Sequence, residues 1–214
     1  MSITLHFHPD WPHGGGLVIE AMGRAEGYHN QFVTGVSNGL LAPTEGSDRW
    51  KWESRLFDGR YDVGAPADRP VYGSWTRRSD AYGGSPRFGS ACFRLRPEVA
   101  GRATYCYPDS TFDPMDFGGP DRLEALCRLA DAAPRDDPLD DYVEAQVHGG
   151  VRFDCDVEAL ALDPCHASGR VRRRLNSWGA PLSSTPATAL RPRTCRSTTA
   201  GPSHWPWPAP SVLS

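Results

Sequence analysis

Polar and apolar residues alternate along two short segments of the sequence. In residues 3–8 the polar positions are Thr4, His6 and His8, and in residues 142–148 they are Tyr142, Glu144, Gln146 and His148. Because successive side chains of a β-strand point to opposite faces, each segment predicts a strand with one apolar and one polar face. Side chains of these types can hydrogen-bond a ligand or transfer protons, although a solvent-exposed strand face would alternate in the same way.

Two further segments combine small residues with an aromatic residue and an arginine. They are residues 69–74, which contain Tyr72, and residues 85–90, which contain Arg87 and Ser90. Glycine and serine allow a loop to approach a ligand closely, but ordinary turns that pack an aromatic ring have the same composition. We expect Tyr72 to border the site, and Arg87 and Ser90 to contact a ligand there.

The histidines suggest an alternative chemistry. His6 and His8 are two residues apart on one strand face, so both can bind one metal ion, with His148, Asp10 and His13 as further candidate ligands. A water molecule on such a metal is nucleophilic near neutral pH, which would make the protein a metal-dependent hydrolase. Barrel hydrolases with this motif need about 250 residues, more than the predicted domain contains.

The elements that position these residues follow from periodicity and from turn residues. Strands are predicted at residues 3–8, 31–36, 91–96, 103–107 and 142–148, and helices at 17–22, 49–57 and 121–133, with a further short helix near Asp156. The Gly- and Pro-rich residues 58–90 and 108–120 are predicted to be loops. No regular βαβ order is present, so we expect one α+β domain with a mainly antiparallel sheet.

The sheet is expected to bring the two polar segments together. If the apolar faces of residues 3–8 and 142–148 are buried in one core, the two strands are neighbours or near-neighbours. His8 and Glu144 then face one cleft, together with His6 and Gln146.

The composition changes abruptly near residue 165. No acidic residue follows Asp163, and arginine, serine, threonine, proline and alanine dominate through Ser214. Such a composition predicts disorder. We therefore divide the chain into an α+β domain at 1–165 and a basic tail at 166–214. The tail is either a natural linker or an out-of-frame translation product, in which case the domain is truncated at its C-terminus.

Charge and cysteine usage restrict the partners and the compartment. The formal net charge of -3 argues against bulk attraction to nucleic acid. The N-terminus has no signal-peptide pattern, and no apolar run is long enough to cross a membrane. The six cysteines lie far apart and indicate neither a zinc ribbon nor a disulfide framework. A cytoplasmic protein is the expectation.

Five segments together resemble one bacterial family that is known only as a domain of unknown function. They are Phe7-His8-Pro9-Asp10, residues 31–39 (QFVTGVSNG), Tyr72-Gly73, residues 84–90 (GSPRFGS) and residues 141–149 (DYVEAQVHG). The sequence departs from the family pattern at Trp11, where an arginine is expected, and at Ser110-Thr111, where Ser-His is expected.

A second resemblance suggests a mechanism. His8 (or His6), Tyr72 and Glu144 follow the chain order found in ADP-ribosyltransferases of the His-Tyr-Glu type, whose split sheet holds NAD. This resemblance implies that the histidine binds a ribose hydroxyl, that Tyr72 stacks on nicotinamide, and that Glu144 stabilises the oxocarbenium-like transition state. Gln146 would orient the acceptor, a small molecule or a protein. A non-catalytic ligand-binding module is the third alternative.

Overall fold

The alternating segments become strands of one antiparallel sheet in the computed structural model, which describes residues 1–36, 42–78 and 81–178 and the backbone of 182–183 and 189–190. The strands are β1 (Ile3–Phe7), β2 (Pro12–His13), β3 (Gly16–Leu17), β4 (Gly27–Tyr28), β5 (Val71–Trp75), β6 (Ala91–Leu95), β7 (Ala103–Tyr107), β8 (Asp116–Gly118), β9 (Val143–Val147), β10 (Val151–Arg152), β11 (Val157–Leu162), β12 (Leu182–Ser183) and β13 (Ala189–Leu190). The α-helices are α1 (Val18–Met22), α2 (Gln31–Thr34), α3 (Asp48–Leu56), α4 (Leu123–Ala132) and α5 (Gly169–Asn176).

The main sheet has the strand order β12-β13-β11-β6-β1-β5-β9-β7-β8, and its neighbouring strands are antiparallel. The predicted α+β fold is therefore confirmed. β1 and β9 are near-neighbours, because β5 alone lies between them. The sheet thus places the strand that carries Tyr72 between the strands that carry His6 and Glu144.

The two faces of the sheet differ in polarity, as the alternation predicts. One face joins the apolar core, which contains Leu5, Phe93, Tyr105 and Val143 together with residues of α1, α4 and α5. Cross-strand partners point to the same face, so the register Thr4↔Ser74↔Glu144↔Cys106 defines the opposite, polar face. The register Tyr72↔Gln146↔Thr104 adds a second polar row to that face.

The sheet opens between β1 and β5. These strands pair only at Ile3↔Trp75 and Thr4↔Ser74, whereas β1 continues to pair with β6 as far as Phe7. Gly73 lies at the opening, where a Cβ atom would come within 2.6 Å of the Thr4 carbonyl oxygen. The opening separates the end of β1 from Tyr72, so one continuous sheet is split at one end.

Helix α2 occupies part of residues 31–36, for which the sequence interpretation of a strand is wrong. The Asn30 side chain caps this helix by accepting hydrogen bonds from the backbone N–H groups of Phe32 and Val33. Gly35 ends it in the left-handed conformation, with φ of 67°. Caps at both ends outweigh the β propensity of Phe32, Val33 and Thr34.

The helix predicted near Asp156 is also wrong, because residues 157–162 form β11. This segment contains good helix formers, but it pairs with β6 along Val157↔Leu95 to Leu162↔Ala91. Long-range pairing therefore overrides local propensity. Within the predicted loops 58–90 and 108–120, the structure adds strands β5 and β8.

Helix α5 lies in the segment for which the composition predicts a disordered tail. Its Val171 and Leu175 are buried in the main core. A 3.6-residue period explains why two apolar residues four apart suffice to anchor an arginine-rich helix. The described structure thus continues past residue 165 through helix α5, and most of the predicted tail lies outside the described residues. In the described part of the chain, no helix combines the length and apolarity that membrane crossing requires.

Candidate functional site

A cavity of about 290 Å³ occupies the opening between β1 and β5. Pockets that bind small molecules begin near this size. The cavity is bordered by sheet residues, by α1, by α2 and by the beginning of α3. Its lining includes the aromatic residues Phe7, Trp11, Tyr28, Tyr72, Phe88 and Tyr142. Its polar side chains include His6, His8, Asn30, Gln31, Arg49, Ser85, Asp109 and Glu144.

Glu144 is a buried carboxyl group at the cavity wall, 6% exposed. Gln146 donates to its Oε1 from Nε2 at 2.7 Å, and the Ser110 hydroxyl donates to its Oε2 at 3.2 Å. Burial raises the pKa of Glu144 to about 7, and the nearby Asp109 carboxylate adds to the increase. The group therefore changes its charge near neutral pH, as catalytic carboxyl groups often do.

Tyr72 lies at the cavity beside a buried ion pair. Its hydroxyl donates to Glu53 Oε2 at 3.0 Å, while Arg69 Nη1 donates to Glu53 Oε1 at 2.6 Å. The side chains of Arg69 and Glu53 are 5% and 1% exposed, so the pair is desolvated. Glu53 thereby fixes the position of Tyr72, although it does not line the cavity.

Arg49 approaches Tyr72 from helix α3. Its guanidinium carbon lies 4.1 Å from the centroid of the Tyr72 ring, a cation–π contact. The residue is 9% exposed and lines the cavity. Within the described part of the chain, its Nε and Nη2 atoms are buried and lack a hydrogen-bond acceptor.

The two histidines of β1 and its extension have different environments. His6 donates from Nδ1 to the Gly89 carbonyl oxygen at 3.2 Å, and its Nε2 accepts from the Ser85 N–H at 3.4 Å. His6 therefore holds residues 85–89 on the sheet. His8 stacks on Trp11 with a centroid distance of 4.1 Å, and burial lowers its pKa. Both residues line the cavity, but both ring nitrogens of His6 are hydrogen-bonded to the loop, so His8 is better placed to bind a ligand.

The residues predicted to bind the ligand from the 85–90 loop are not the ones at the cavity. Arg87 forms an ion pair with Asp140, and the Ser90 hydroxyl is hydrogen-bonded to His166 Nε2 at 2.8 Å. Ser85 and Phe88 line the cavity instead. The short 3₁₀ helix Pro86–Phe88 explains this difference. It turns Arg87 away from the cavity and leaves Ser85 and Phe88 at the cavity wall.

Gln146 is not among the residues that line the cavity. It is fully buried, and its Nε2 donates to Glu144 and contacts Cys106 Sγ at 3.3 Å. Its placement suits an orienting group for Glu144.

The predicted metal ligands His6, His8 and His148 do not meet. His148 lies beyond Gln146 on the same strand face, and its Nδ1 and Nε2 are hydrogen-bonded to Tyr61 at 2.6 Å and to Thr104 at 2.9 Å. In residues 1–36, 42–78 and 81–178, no three His, Cys, Asp or Glu side chains form a group that could hold a metal ion. The described structure does not bring the three histidines to one site, since the four-residue separation of Glu144 and His148 takes the histidine away from the cavity.

The His148 ring is expected to stay neutral at pH values well below those at which a histidine side chain ordinarily becomes charged. Burial, together with the charges of Arg60 and Arg102, lowers its pKa to about 4. In an NMR titration of the histidine ring resonances, the His148 signals should stay unchanged from pH 8 to about pH 5 and move only below that pH. A midpoint near 6.5 would contradict the described environment.

The sequence interpretation missed Arg49, Asn30, Asp109 and Glu53. Asp109 accepts hydrogen bonds from the Tyr142 hydroxyl and from the Thr111 N–H, and it borders the cavity. Asn30 caps α2 and donates to the Pro66 and Arg69 carbonyl oxygens at 2.8 and 2.9 Å. One sequence signal was available for two of these residues. Arg49 and Glu53 are four residues apart on a predicted helix, and this spacing places both on one helix face.

Comparison with known proteins gives a family but no activity. Residues 2–131 and 126–183 match a family model described as "Protein of unknown function (DUF3626)". The second match extends past residue 166, in agreement with the position of helix α5. No curated protein matches the chain.

Proposed function

Since the chain belongs to the DUF3626 family, whose function is unknown, we propose from its cavity that it cleaves NAD as an ADP-ribosyltransferase-like enzyme. One observation carries the proposal. His8 at the end of β1, Tyr72 on β5 and Glu144 on β9 border one cavity, at the opening of the sheet. This is the arrangement that the resemblance to His-Tyr-Glu ADP-ribosyltransferases implies.

The chemistry of the lining supports this substrate. Aromatic rings at the wall suit the flat nicotinamide and adenine rings. The arginine and the amide and hydroxyl groups suit phosphate and ribose. Tyr72 would stack on nicotinamide and His8 would bind a ribose hydroxyl, while Gln146 would orient Glu144 and not the acceptor.

In the proposed reaction, the bond between nicotinamide and C1′ of its ribose breaks. Its electron pair passes to the ring nitrogen, so nicotinamide leaves as a neutral molecule. Positive charge grows on the ribose, and the buried Glu144 carboxylate stabilises it in the transition state. Water or an acceptor hydroxyl then forms the new bond to C1′ and releases one proton. The products are nicotinamide and either ADP-ribose or the ADP-ribosylated acceptor.

The pH dependence should report the ionisation of Glu144. Only the carboxylate can stabilise positive charge, and the pKa of Glu144 is about 7. We expect NAD cleavage to rise with pH, to reach half its maximum near pH 7 and to level off above pH 8. Arg49→Met should move the midpoint to a higher pH, because the charge of Arg49 lowers the pKa of Glu144. A rate that falls between pH 6 and pH 8 would contradict this role.

Release of nicotinamide from NAD tests the proposal directly. The full chain is incubated with NAD, and nicotinamide and ADP-ribose are measured by chromatography, with heated protein as the background control. Saturable release above background supports cleavage. NAD binding without release would support the non-catalytic ligand-binding alternative instead. The absence of both NAD binding and nicotinamide release would rule out the enzyme and the NAD-binding module alike.

A further inference from the structure

Arg49 combines burial with missing hydrogen bonds. The residue is 9% exposed, and two of its guanidinium nitrogens, Nε and Nη2, have no acceptor in the described part of the chain. A buried charged donor without an acceptor is destabilising, because it has lost its water molecules without replacing them. Such groups are rare in native proteins, and a bound ligand, ion or water molecule is one of the few physical reasons for them.

The nearby acidic groups do not explain this arginine. Glu53 and Glu144 are close enough for the charge of Arg49 to lower their pKa values. Glu53, however, accepts from Arg69 and Tyr72, and Glu144 accepts from Gln146 and Ser110. Both carboxyl groups are thus already hydrogen-bonded by other residues, and the contact described for Arg49 is the face of the Tyr72 ring.

The two nitrogens without acceptors are neighbours on the guanidinium group. Nε and Nη2 form one edge of the planar fork, and such an edge donates two parallel hydrogen bonds to one phosphate or carboxylate. Gln31 lines the same cavity, and its Oε1 is a buried acceptor that lacks a donor among the described residues. A ligand that carries an oxyanion and a hydrogen-bond donor would satisfy both residues.

We propose that Arg49 is the phosphate-binding residue of this cavity and that it holds a phosphoryl group of the ligand through Nε and Nη2. A phosphoryl group is favoured over a carboxylate because the aromatic walls and the amide of Gln31 suit a nucleotide. The assignment of this phosphoryl group to the pyrophosphate of NAD rests on the proposed function. The anion-binding role of Arg49 is independent of the proposed function. Arg49 lies in the first turn of α3, where the helix dipole also favours an anion.

Binding of ADP-ribose and of adenosine to the full chain, measured by calorimetry, tests this inference. ADP-ribose carries the pyrophosphate and adenosine lacks it. The wild-type protein should bind ADP-ribose more tightly than adenosine. Arg49→Met should weaken ADP-ribose binding at least tenfold and leave adenosine binding nearly unchanged. Arg55→Met is the matched control, since Arg55 is on the same helix, is about half exposed and pairs with Asp113; it should change neither affinity.

Thermal stability separates ligand binding from a structural role. In Arg49→Met, removal of two buried nitrogens without acceptors offsets the loss of the cation–π contact with Tyr72, so the variant should melt close to the wild-type protein. Arg49→Lys keeps the positive charge but loses the planar guanidinium fork. Its affinity for ADP-ribose should therefore lie between that of the wild-type protein and that of Arg49→Met. It also provides a second variant if Arg49→Met does not fold.

The inference is overturned if Arg49→Met binds ADP-ribose like the wild-type protein, or if the affinities for ADP-ribose and adenosine fall equally. Competition by succinate that is as strong as competition by inorganic pyrophosphate would overturn the assignment to phosphate. These outcomes differ from failure of the proposed function. Loss of ADP-ribose affinity in Arg49→Met without any NAD cleavage by the wild-type protein would retain the anion site and reject the enzyme.

Discussion

Replacing Glu144 with glutamine is expected to reduce NAD cleavage roughly 10²–10³-fold while the protein stays folded. The substitution removes the charge that stabilises the transition state and keeps the shape of the side chain. Glutamine can still accept from Gln146, and its amide can donate to the Ser110 hydroxyl, which takes the place of the Oε2 contact. Nicotinamide release gives the rate, and circular dichroism gives the fold.

The same variant should also change how stability depends on pH. Burial raises the pKa of Glu144 to about 7, so the folded state holds this proton at a pH where the unfolded chain has lost it. The resulting stabilisation is complete below pH 4.5 and is lost as the pH rises through about 7, a change on the order of 3 kcal/mol. Glutamine has no proton to lose. Glu144→Gln should therefore melt above the wild-type protein at pH 8 and close to it at pH 5.

Glu158→Gln is the matched control, because Glu158 is an exposed carboxylate on strand β11. It should retain wild-type cleavage at each pH. If Glu144→Gln cleaves NAD at the wild-type rate, the catalytic assignment of Glu144 is wrong. If Glu158→Gln loses activity as well, the loss reflects the sheet and not the carboxyl group at the cavity.

Strands β1, β6, β7 and β9 were predictable because their residues alternate with a two-residue period. The alternation in residues 3–8 and 142–148 is sufficient to assign both faces, and the polar faces meet as expected. Short elements were not predictable in the same way. Residues 31–34 form helix α2 because of the Asn30 cap. Residues 157–162 form strand β11 because they pair with β6, which lies more than 60 residues earlier in the chain.

The site was predictable where strands supply it and not where helices and loops do. Glu144 and His8 follow from the polar strand faces, whereas Tyr72 was expected at the site from a segment that was predicted to be a loop. All three border the cavity. Arg49 and Asp109 do not, because a charged residue on a short helix or a loop has the sequence signature of a solvated one. Arg87 shows the opposite error: its ion pair with the half-buried Asp140 has no sequence signature that separates it from a ligand contact.

Glu53→Ala is expected to destabilise the protein by about 3–5 kcal/mol. Glu53 is 1% exposed and accepts from both Arg69 and Tyr72. Without it, the buried Arg69 keeps its contacts with the rings of Phe32 and Trp50, but the remaining carboxylate paired with it among the described residues is the distant Asp62, at 4.0 Å. Removal of one member of a desolvated ion pair costs much more than removal of an exposed one, because the remaining charge stays buried. Urea unfolding followed by tryptophan fluorescence measures the loss.

Glu124→Ala provides the matched control for that experiment. Glu124 also pairs with an arginine, Arg128, but its side chain is 84% exposed, so its loss should change the free energy of unfolding by less than about 0.5 kcal/mol. The double variant Glu53→Ala/Arg69→Met should recover part of the stability lost in Glu53→Ala, since it removes the uncompensated charge. A loss below about 1 kcal/mol in Glu53→Ala would mean that Arg69 finds another acceptor. Tyr72 would then need a different anchor at the cavity, because its hydroxyl donates to the same carboxylate.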